Sequence, residues 1–452
     1  MVYRGNPHCG GQGVYVRHLS RELVTLGHSV EVLSGQPWPV LDDGVGFTPV
    51  PSLDLYREPD PFRTPKFSEL KSFVDLLEVS TMWTAGFPEP RTFSLRARKV
   101  LKKRIGQYDV VHDNQSLGSG LLGIMADGWP LLTTFHHPIT VDRELAIGHA
   151  ESKWERLSTR RWYGFLRMQA RVARRLPRIV TVSESSRSDI SSSMGVSPER
   201  MRVVPVGVDH QVFRPMADVK RVPGRIMATS SSDVPMKGIV PLLEAIAKIK
   251  TERDIELVII GKPKEGGLVA RTIERLALSG VIRYVSGVSD EALAGLYSET
   301  EVAVVPSLYE GFSLPAIEAM ACGVPLVATT GGALPEVVGR HEETGLLVKP
   351  NCPEELASAI TRILDNPLLA RKLGRSGRKR VFEKFTWQKT AQLTSEQYRE
   401  VIEMKRHGRN TKTVMDVPVR HTVKTTVSAQ AVAQPIRAGI PGHNADMDIA
   451  GC

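Results

Sequence analysis

Short runs of apolar and β-branched residues alternate along the chain with longer stretches whose apolar positions recur at helical spacing, which predicts an α/β fold with parallel sheets. In the first half the strand-like runs are residues 29–33, 110–112, 131–135, 178–182 and 201–205. In the second half they are 225–229, 256–261, 282–285, 302–306 and 325–329. Periodicity breaks near Val208 to Gly224, where Asp209, Pro215 and Pro223 fall, and this marks a join. Each half thus reads as one open, doubly wound sheet, whose ligands bind beyond the carboxyl ends of the strands. Between 386 and 406 a last helix carries Trp387, Leu393, Tyr398 and Ile402 as one apolar stripe and is expected to cross back to the first half. Residues 407–452 are polar and without periodicity, and read as a disordered tail.

Two stretches depart from the alternation. Residues 38–90 are rich in Pro, Asp and Phe and read as a long insertion. At the start, only Val2 and Tyr3 stand before the glycine cluster Gly10-Gly11-Gln12-Gly13, where a full buried strand is expected. Either the start is assigned too late or this sheet lacks an inner strand.

The length of 452 residues suits two domains, and 41% hydrophobic with 24% charged residues is a soluble globular composition. No apolar run is long enough to span a bilayer, no signal-peptide pattern opens the chain, and the four cysteines are scattered without metal-ligand spacing. A cytoplasmic protein is expected, peripheral to the membrane at most. The net charge of +10 is uneven: from Lys153 to Arg178 nine basic residues face one acid, Glu155, and are interleaved with Trp154, Leu157, Trp162, Phe165, Leu166, Met168 and Val172. A second basic run lies between Arg96 and Arg104. These are either solvated helix faces or a surface that meets anionic lipid or a phosphorylated acceptor. No nucleic-acid-binding signature accompanies the charge, so nucleic acid is not expected as a partner.

The strongest chemical signal is Glu310-Gly-Phe-Ser-Leu-Pro-Ala-Ile-Glu318, followed by Ala-Met-Ala-Cys-Gly323. Ser313 suits a helix N-cap, Pro315 the first turn and Gly323 the stop. The N-terminus of such a helix directs free N–H groups and a positive dipole at a ligand, a seat for a diphosphate. Glu310 before the helix and Glu318 inside it can then accept hydrogen bonds from sugar and ribose hydroxyls.

The two glutamates in this frame resemble the signature of the retaining GT-B glycosyltransferases of family 4. The resemblance extends through Thr330-Gly331-Gly332-Ala-Leu-Pro-Glu336, Thr344-Gly345-Leu-Leu-Val348, Val182-Ser183-Glu184-Ser185, Val204 to Asp209, and Gly10-Gly11, and so spans most of residues 8–400. It implies two Rossmann-like units, 1–207 for the acceptor and 208–385 for a nucleotide-diphosphate sugar, with the donor in the cleft. It also implies that Glu318 binds ribose, that Glu310 binds the transferred sugar, and that Gly311, Phe312, Ser313 and Leu314 line sugar or phosphate. Lys237, in Pro235-Met-Lys-Gly238, matches the family's diphosphate lysine, whose charge would stabilise the leaving group. The family's usual arginine six residues earlier is replaced by Ser231. Gly10 and Gly11 resemble the loop that approaches the donor phosphate, though by themselves they fit any tight turn equally. His136 matches a family histidine near the sugar, with His137 as the competing residue.

No motif supplies a carboxylate nucleophile, and the resemblance implies front-face transfer with retention, assisted by the departing diphosphate and without a metal or other cofactor. The basic segment around Arg160 suggests a lipid-linked or cell-surface glycan as acceptor. Other readings of the same scaffold are a phosphorylase or epimerase and a sugar-nucleotide binder without turnover. A dinucleotide-dependent dehydrogenase is disfavoured, because Gly10-Gly-Gln-Gly13 lacks the GxGxxG spacing.

Overall fold

In the computed structural model the chain forms two all-parallel sheets, each flanked by helices. The structure describes residues 1–5, 11–57, 59–150, 152–229, 234–262 and 264–408. The first sheet comprises β1 (Val2–Tyr3), β2 (Glu31–Ser34), β3 (Gly46–Pro49), β4 (Val111–Asn114), β5 (Leu131–Thr134), β6 (Ile179–Thr181) and β7 (Met201–Val203), in the order β3-β2-β1-β4-β5-β6-β7. The second comprises β8 (Arg225–Thr229), β9 (Glu256–Ile260), β10 (Ile282–Val285), β11 (Val302–Val305), β12 (Leu326–Thr329) and β13 (Leu346–Val348), in the order β10-β9-β8-β11-β12-β13. Central strands such as β4, β5, β11 and β12 are buried along their whole length, which is why β11 reads as an unbroken apolar run, while β4 and β5 bury several polar residues.

In each sheet the chain winds outward from one central strand and then reverses on its other side. The crevices between the ends of β1 and β4 and of β8 and β11 are therefore topological switch points, where neighbouring loops diverge and leave room for a ligand. Helices Gly11–Thr25 and Trp387–Arg406 pack on each other beside the first sheet. Trp387, Ala391, Tyr398 and Val401 share a buried cluster there with Tyr3, Tyr15, Val16 and Leu19.

The structure corrects four sequence expectations. The first sheet does have its inner strand: β1 is only two residues long, yet Val2 pairs with Leu33 and Asp113, and Tyr3 with Ser34 and Asn114. Burial on both faces, with Val2 1% and Tyr3 0% exposed, holds it in place. The stretch 38–90 is not wholly an insertion, for it supplies edge strand β3, helix Phe73–Trp83 and the start of helix Glu89–Lys102. β3 went unread because it is mostly exposed and contains Gly and Pro; it borders β2 only. The buried face of helix Trp387–Arg406 includes Thr390 and Thr394 in place of Leu393 and Ile402, which are half-buried. The basic segment 153–178 is broken at Tyr163-Gly164 into helices Lys153–Trp162 and Phe165–Ala173. Its residues Trp154 and Leu157 lie outside the core, 80% and 56% exposed.

The three arginines of the other basic run are held in ion pairs. Arg96 contacts Asp75 at 2.6 Å and also Glu78, Arg98 meets Asp127 at 2.8 Å, and Arg104 meets Glu31 at 2.8 Å. The lysines of that run, Lys99, Lys102 and Lys103, are exposed. The predicted tail from residue 409 onward lies outside the described residues.

Candidate active site between the two sheets

Lys237 follows β8 and Glu310 follows β11, so the second sheet's switch point brings them together. Lys237 Nζ lies 3.0 Å from Glu310 Oε1, and Ser307 Oγ donates to the same oxygen at 2.7 Å. Two glycines permit this approach. Gly238 has φ +65°, and a Cβ there would lie 1.9 Å from the Pro306 carbonyl oxygen. Gly332 has φ +59°, and its Cβ would lie 2.3 Å from the Glu310 carbonyl oxygen, to which Ala333 N–H donates at 2.8 Å. The backbone on both sides of the Lys237–Glu310 pair is thus pressed against glycine.

Helix Leu314–Ala321 begins at Ser313, whose Oγ accepts from Ala316 N–H, and stops before Gly323 at φ +69°. Its first-turn N–H groups have no intrahelical acceptor. One turn in, Glu318 faces Tyr297, whose hydroxyl lies 3.4 Å from Glu318 Oε2. Burial, reinforced by the nearby Asp290 carboxylate, pushes the Glu318 pKa up to about 8.

Opposite, the first sheet presents Gly11 beyond β1, Asn114 at the end of β4 with Gln115 just after it, and His136 beyond β5. His136 Nε2 lies 3.0 Å from Asn114 Oδ1, its main-chain N–H donates to Gln115 Oε1 at 2.7 Å, and its ring meets Tyr15 edge-on at 4.7 Å. Burial pushes the His136 pKa down to about 3, so the imidazole is neutral at physiological pH.

The halves meet at the loop that carries Glu310. Gly311 O accepts from Ser183 Oγ at 2.7 Å and from Ser186 Oγ at 3.0 Å, and a Cβ on Gly311 would lie 3.0 Å from His137 Cβ. Phe312 and Leu314 pack against buried clusters of both halves, and Gly11 faces Leu314. Beside them Glu336 of the second half accepts from Glu184 N–H and Ser185 N–H, each at 2.7 Å, at the N-terminus of helix Glu184–Met194 of the first half. A carboxylate satisfies both the free amides and the dipole there. Tyr309 donates to Asp189 on the same helix.

Of the residues expected from sequence, the structure brings Lys237 to Glu310 and sets Gly311, Phe312, Ser313 and Leu314 at the meeting of the halves. Glu318 lies a turn deeper, with Gly11 and His136 opposite. Gly10 and Ser231 lie outside the described residues. Sequence reasoning missed Asn114, Gln115, Tyr297 and Asp290 as neighbours of the site. It quoted Ser183 and Glu336 within motifs without seeing that they fasten the two halves together. No group of His, Cys, Asp and Glu suited to a metal occurs among the described residues.

Two all-parallel α/β sheets of seven and six strands, meeting along the loop that carries Glu310, are the architecture of the GT-B glycosyltransferases. The chain belongs to glycosyltransferase family 4: residues 9–212 match "Glycosyltransferase Family 4" and residues 218–380 match "Glycosyl transferases group 1". It is 55% identical over 403 residues to the MMP alpha-(1->4)-mannosyltransferase of Mycolicibacterium hassiacum, covering 89% of this chain and 97% of that protein. It is 28% identical to D-inositol 3-phosphate glycosyltransferase 2 of Catenulispora acidiphila, over 88% and 92% of the two chains. Sucrose-phosphate synthase from Thermosynechococcus elongatus superposes with a TM-score of 0.67 at 25% identity, covering 89% of this chain and 98% of that one.

Two outcomes follow from this geometry. Replacing Glu336 with Ala removes two hydrogen bonds at a solvent-accessible helix end, together worth about 1.4 kcal/mol after competition from water, and is expected to enlarge the radius of gyration in X-ray scattering and lower kcat/KM about tenfold. Unchanged scattering and kinetics would show that the contact does not hold the halves together. For Glu318, a folded pKa of about 8 against an ordinary value near 4.3 means that the folded state keeps a proton that the unfolded chain has lost. This group's contribution to stability is therefore lost as pH rises through that window. Thermal unfolding of Glu318→Gln is expected to gain on the parent protein between about pH 5 and 8; a constant difference would contradict the assignment.

Proposed function

We propose that this glycosyltransferase moves mannose from a nucleotide-diphosphate donor to the 4-hydroxyl of a mannose- or glucose-containing oligosaccharide, with retention of the α configuration. The Lys237–Glu310 pair at the switch point carries the reading, because it sets a cation where a diphosphate would lie beside the N-terminus of helix Leu314–Ala321. The name of the 55% identical relative supports mannose and the α-(1→4) linkage. In this reading the diphosphate draws Lys237 away from Glu310, which frees the carboxylate to accept from sugar hydroxyls. Glu318 receives the ribose, and neutral His136 meets the sugar from the opposite wall. As the sugar–phosphate bond lengthens, negative charge grows on the leaving oxygen, where Lys237 and the first-turn amides are already oriented. The departing phosphate oxygen then takes the proton of the attacking hydroxyl on the same face.

A peripheral contact with anionic lipid is a second reading, favoured by the outward-facing Trp154 and Leu157 among the basic residues of helix Lys153–Trp162. No helix among the described residues is long and apolar enough to cross a membrane.

Incubation with a panel of nucleotide sugars without acceptor is expected to show slow release of nucleotide from one mannose donor. Glu310→Ala and Lys237→Ala should each reduce this by about a hundredfold or more, the scale for losing an oriented electrostatic group. A thermal shift without hydrolysis by any donor, and without transfer to an added oligosaccharide, would mark a binding protein instead. For the lipid reading, sedimentation with phosphatidylglycerol vesicles should be salt-weakened and lost in Trp154→Ala/Leu157→Ala; failure to bind at any ionic strength would end it.

A further inference from the structure

The C-terminal end of β4 contains polar groups that the reaction described above does not use. Asn114 is 1% exposed, and its Oδ1 faces His136 Nε2, yet its Nδ2 has no hydrogen-bond partner among the described residues. An unpaired amide donor buried this deeply is destabilising. Its neighbour Gln115 has φ +54°, outside the comfortable range of a residue with a side chain. That turn is held by Gln115 N–H donating to Thr134 O at 2.9 Å. The Gln115 side chain then clasps the following loop, accepting from His136 N–H at 2.7 Å and donating to His137 O at 3.2 Å. A strained backbone and an orphaned donor thus occur together on one side of the first sheet's switch point.

We infer that Asn114 is a substrate-facing positioning residue, whose carbonyl holds His136 as the Nε2–H tautomer and whose amide N–H donates to a sugar hydroxyl in the cleft. This rests on the reading that His136 meets the sugar. With Nε2 donating to Asn114, Nδ1 becomes the acceptor of the ring. Nδ1 points away from Asn114 across the ring, so Asn114 Nδ2 offers its donor to a sugar oxygen independently of the imidazole acceptor. The edge-on Tyr15 ring fixes the plane of the imidazole, and its hydroxyl is anchored on Thr134 at 3.1 Å. Thr134 in turn bonds His112 Nε2 at 2.7 Å, whose Nδ1 bonds Tyr398 at 2.7 Å. His136 is therefore supported from strands β4 and β5 and from both helices beside them.

The tautomer is read from the 15N shifts of histidine-labelled full-length protein, with His136 assigned by loss of its signals in His136→Gln. A pyrrole-like Nε2 and a pyridine-like Nδ1 are expected in the parent protein and in Asn114→Asp, which keeps the acceptor but lacks the amide donor. A mixture of tautomers is expected in Asn114→Ala. Both variants should lose about tenfold or more in kcat/KM, the scale for one oriented hydrogen bond. Acceptor-free hydrolysis identifies the partner: it falls together with transfer if the hydroxyl belongs to the donor sugar, and is unchanged if the hydroxyl belongs to the acceptor. A parent protein with the proton on Nδ1, or Asn114→Asp with full transfer activity, would overturn the inference. The nitrogen shifts are readable even if no donor is turned over, so failure of this inference is distinct from failure of the transferase reading.

Discussion

The structure depends on a contact between a loop of one half and a helix end of the other. The Gly311 carbonyl receives two serine hydroxyls from the start of helix Glu184–Met194, and the Glu336 carboxylate covers that helix's free amides. Each bond is modest, but they act on the segment that carries Glu310, and a helix N-terminus is a site where a carboxylate is strongly preferred. Phe312 and Leu314 add apolar contact to both halves. The position of the Glu310 loop is therefore set by both halves jointly. Two walls built on separate sheets can meet one sugar only if this junction fixes their distance.

Around that junction, chemistry is supplied by the topology of parallel sheets. Lys237 and Glu310 are remote in sequence but follow neighbouring strands β8 and β11, just as Gly11 follows β1 and Asn114 ends β4. The reversal of strand order opens the crevice, and glycines at 238 and 332 let main chain close in behind the charged pair. Electrostatics differ between the walls. On one, the Glu318 carboxyl, bonded by the Tyr297 hydroxyl, is held well above its ordinary pKa by burial. On the other, His136 is kept neutral by burial and can only exchange hydrogen bonds.

Much of this was legible in the sequence, because parallel strands buried on both faces advertise themselves as apolar runs, and because Ser313, Pro315 and Gly323 punctuate a helix unambiguously. The strands at 225–229 and 282–285 coincide with β8 and β10. What escaped notice had physical reasons. A two-residue strand such as β1 carries no periodicity and is defined only by its two neighbours. Edge strand β3 is solvated and bears Gly and Pro. Trp154 and Leu157 fit a helical apolar stripe yet face outward, since periodicity does not say what lies opposite. The family-like motifs named Glu310, Glu318 and Lys237 from residues close in sequence. By contrast, the clasp of Glu336 on residues 184 and 185, and of Asn114 on His136, joins segments whose proximity only the fold reveals. The positive φ of Gln115 has no sequence signal at all.

The most direct test is a crystal structure of the protein with a nucleoside diphosphate. The account predicts the diphosphate against the first-turn amides of helix Leu314–Ala321, with Lys237 moved from Glu310 onto a phosphate oxygen and the ribose hydroxyls on Glu318. A nucleotide seated at the first sheet, or a diphosphate bound with the Lys237–Glu310 pair intact, would contradict it.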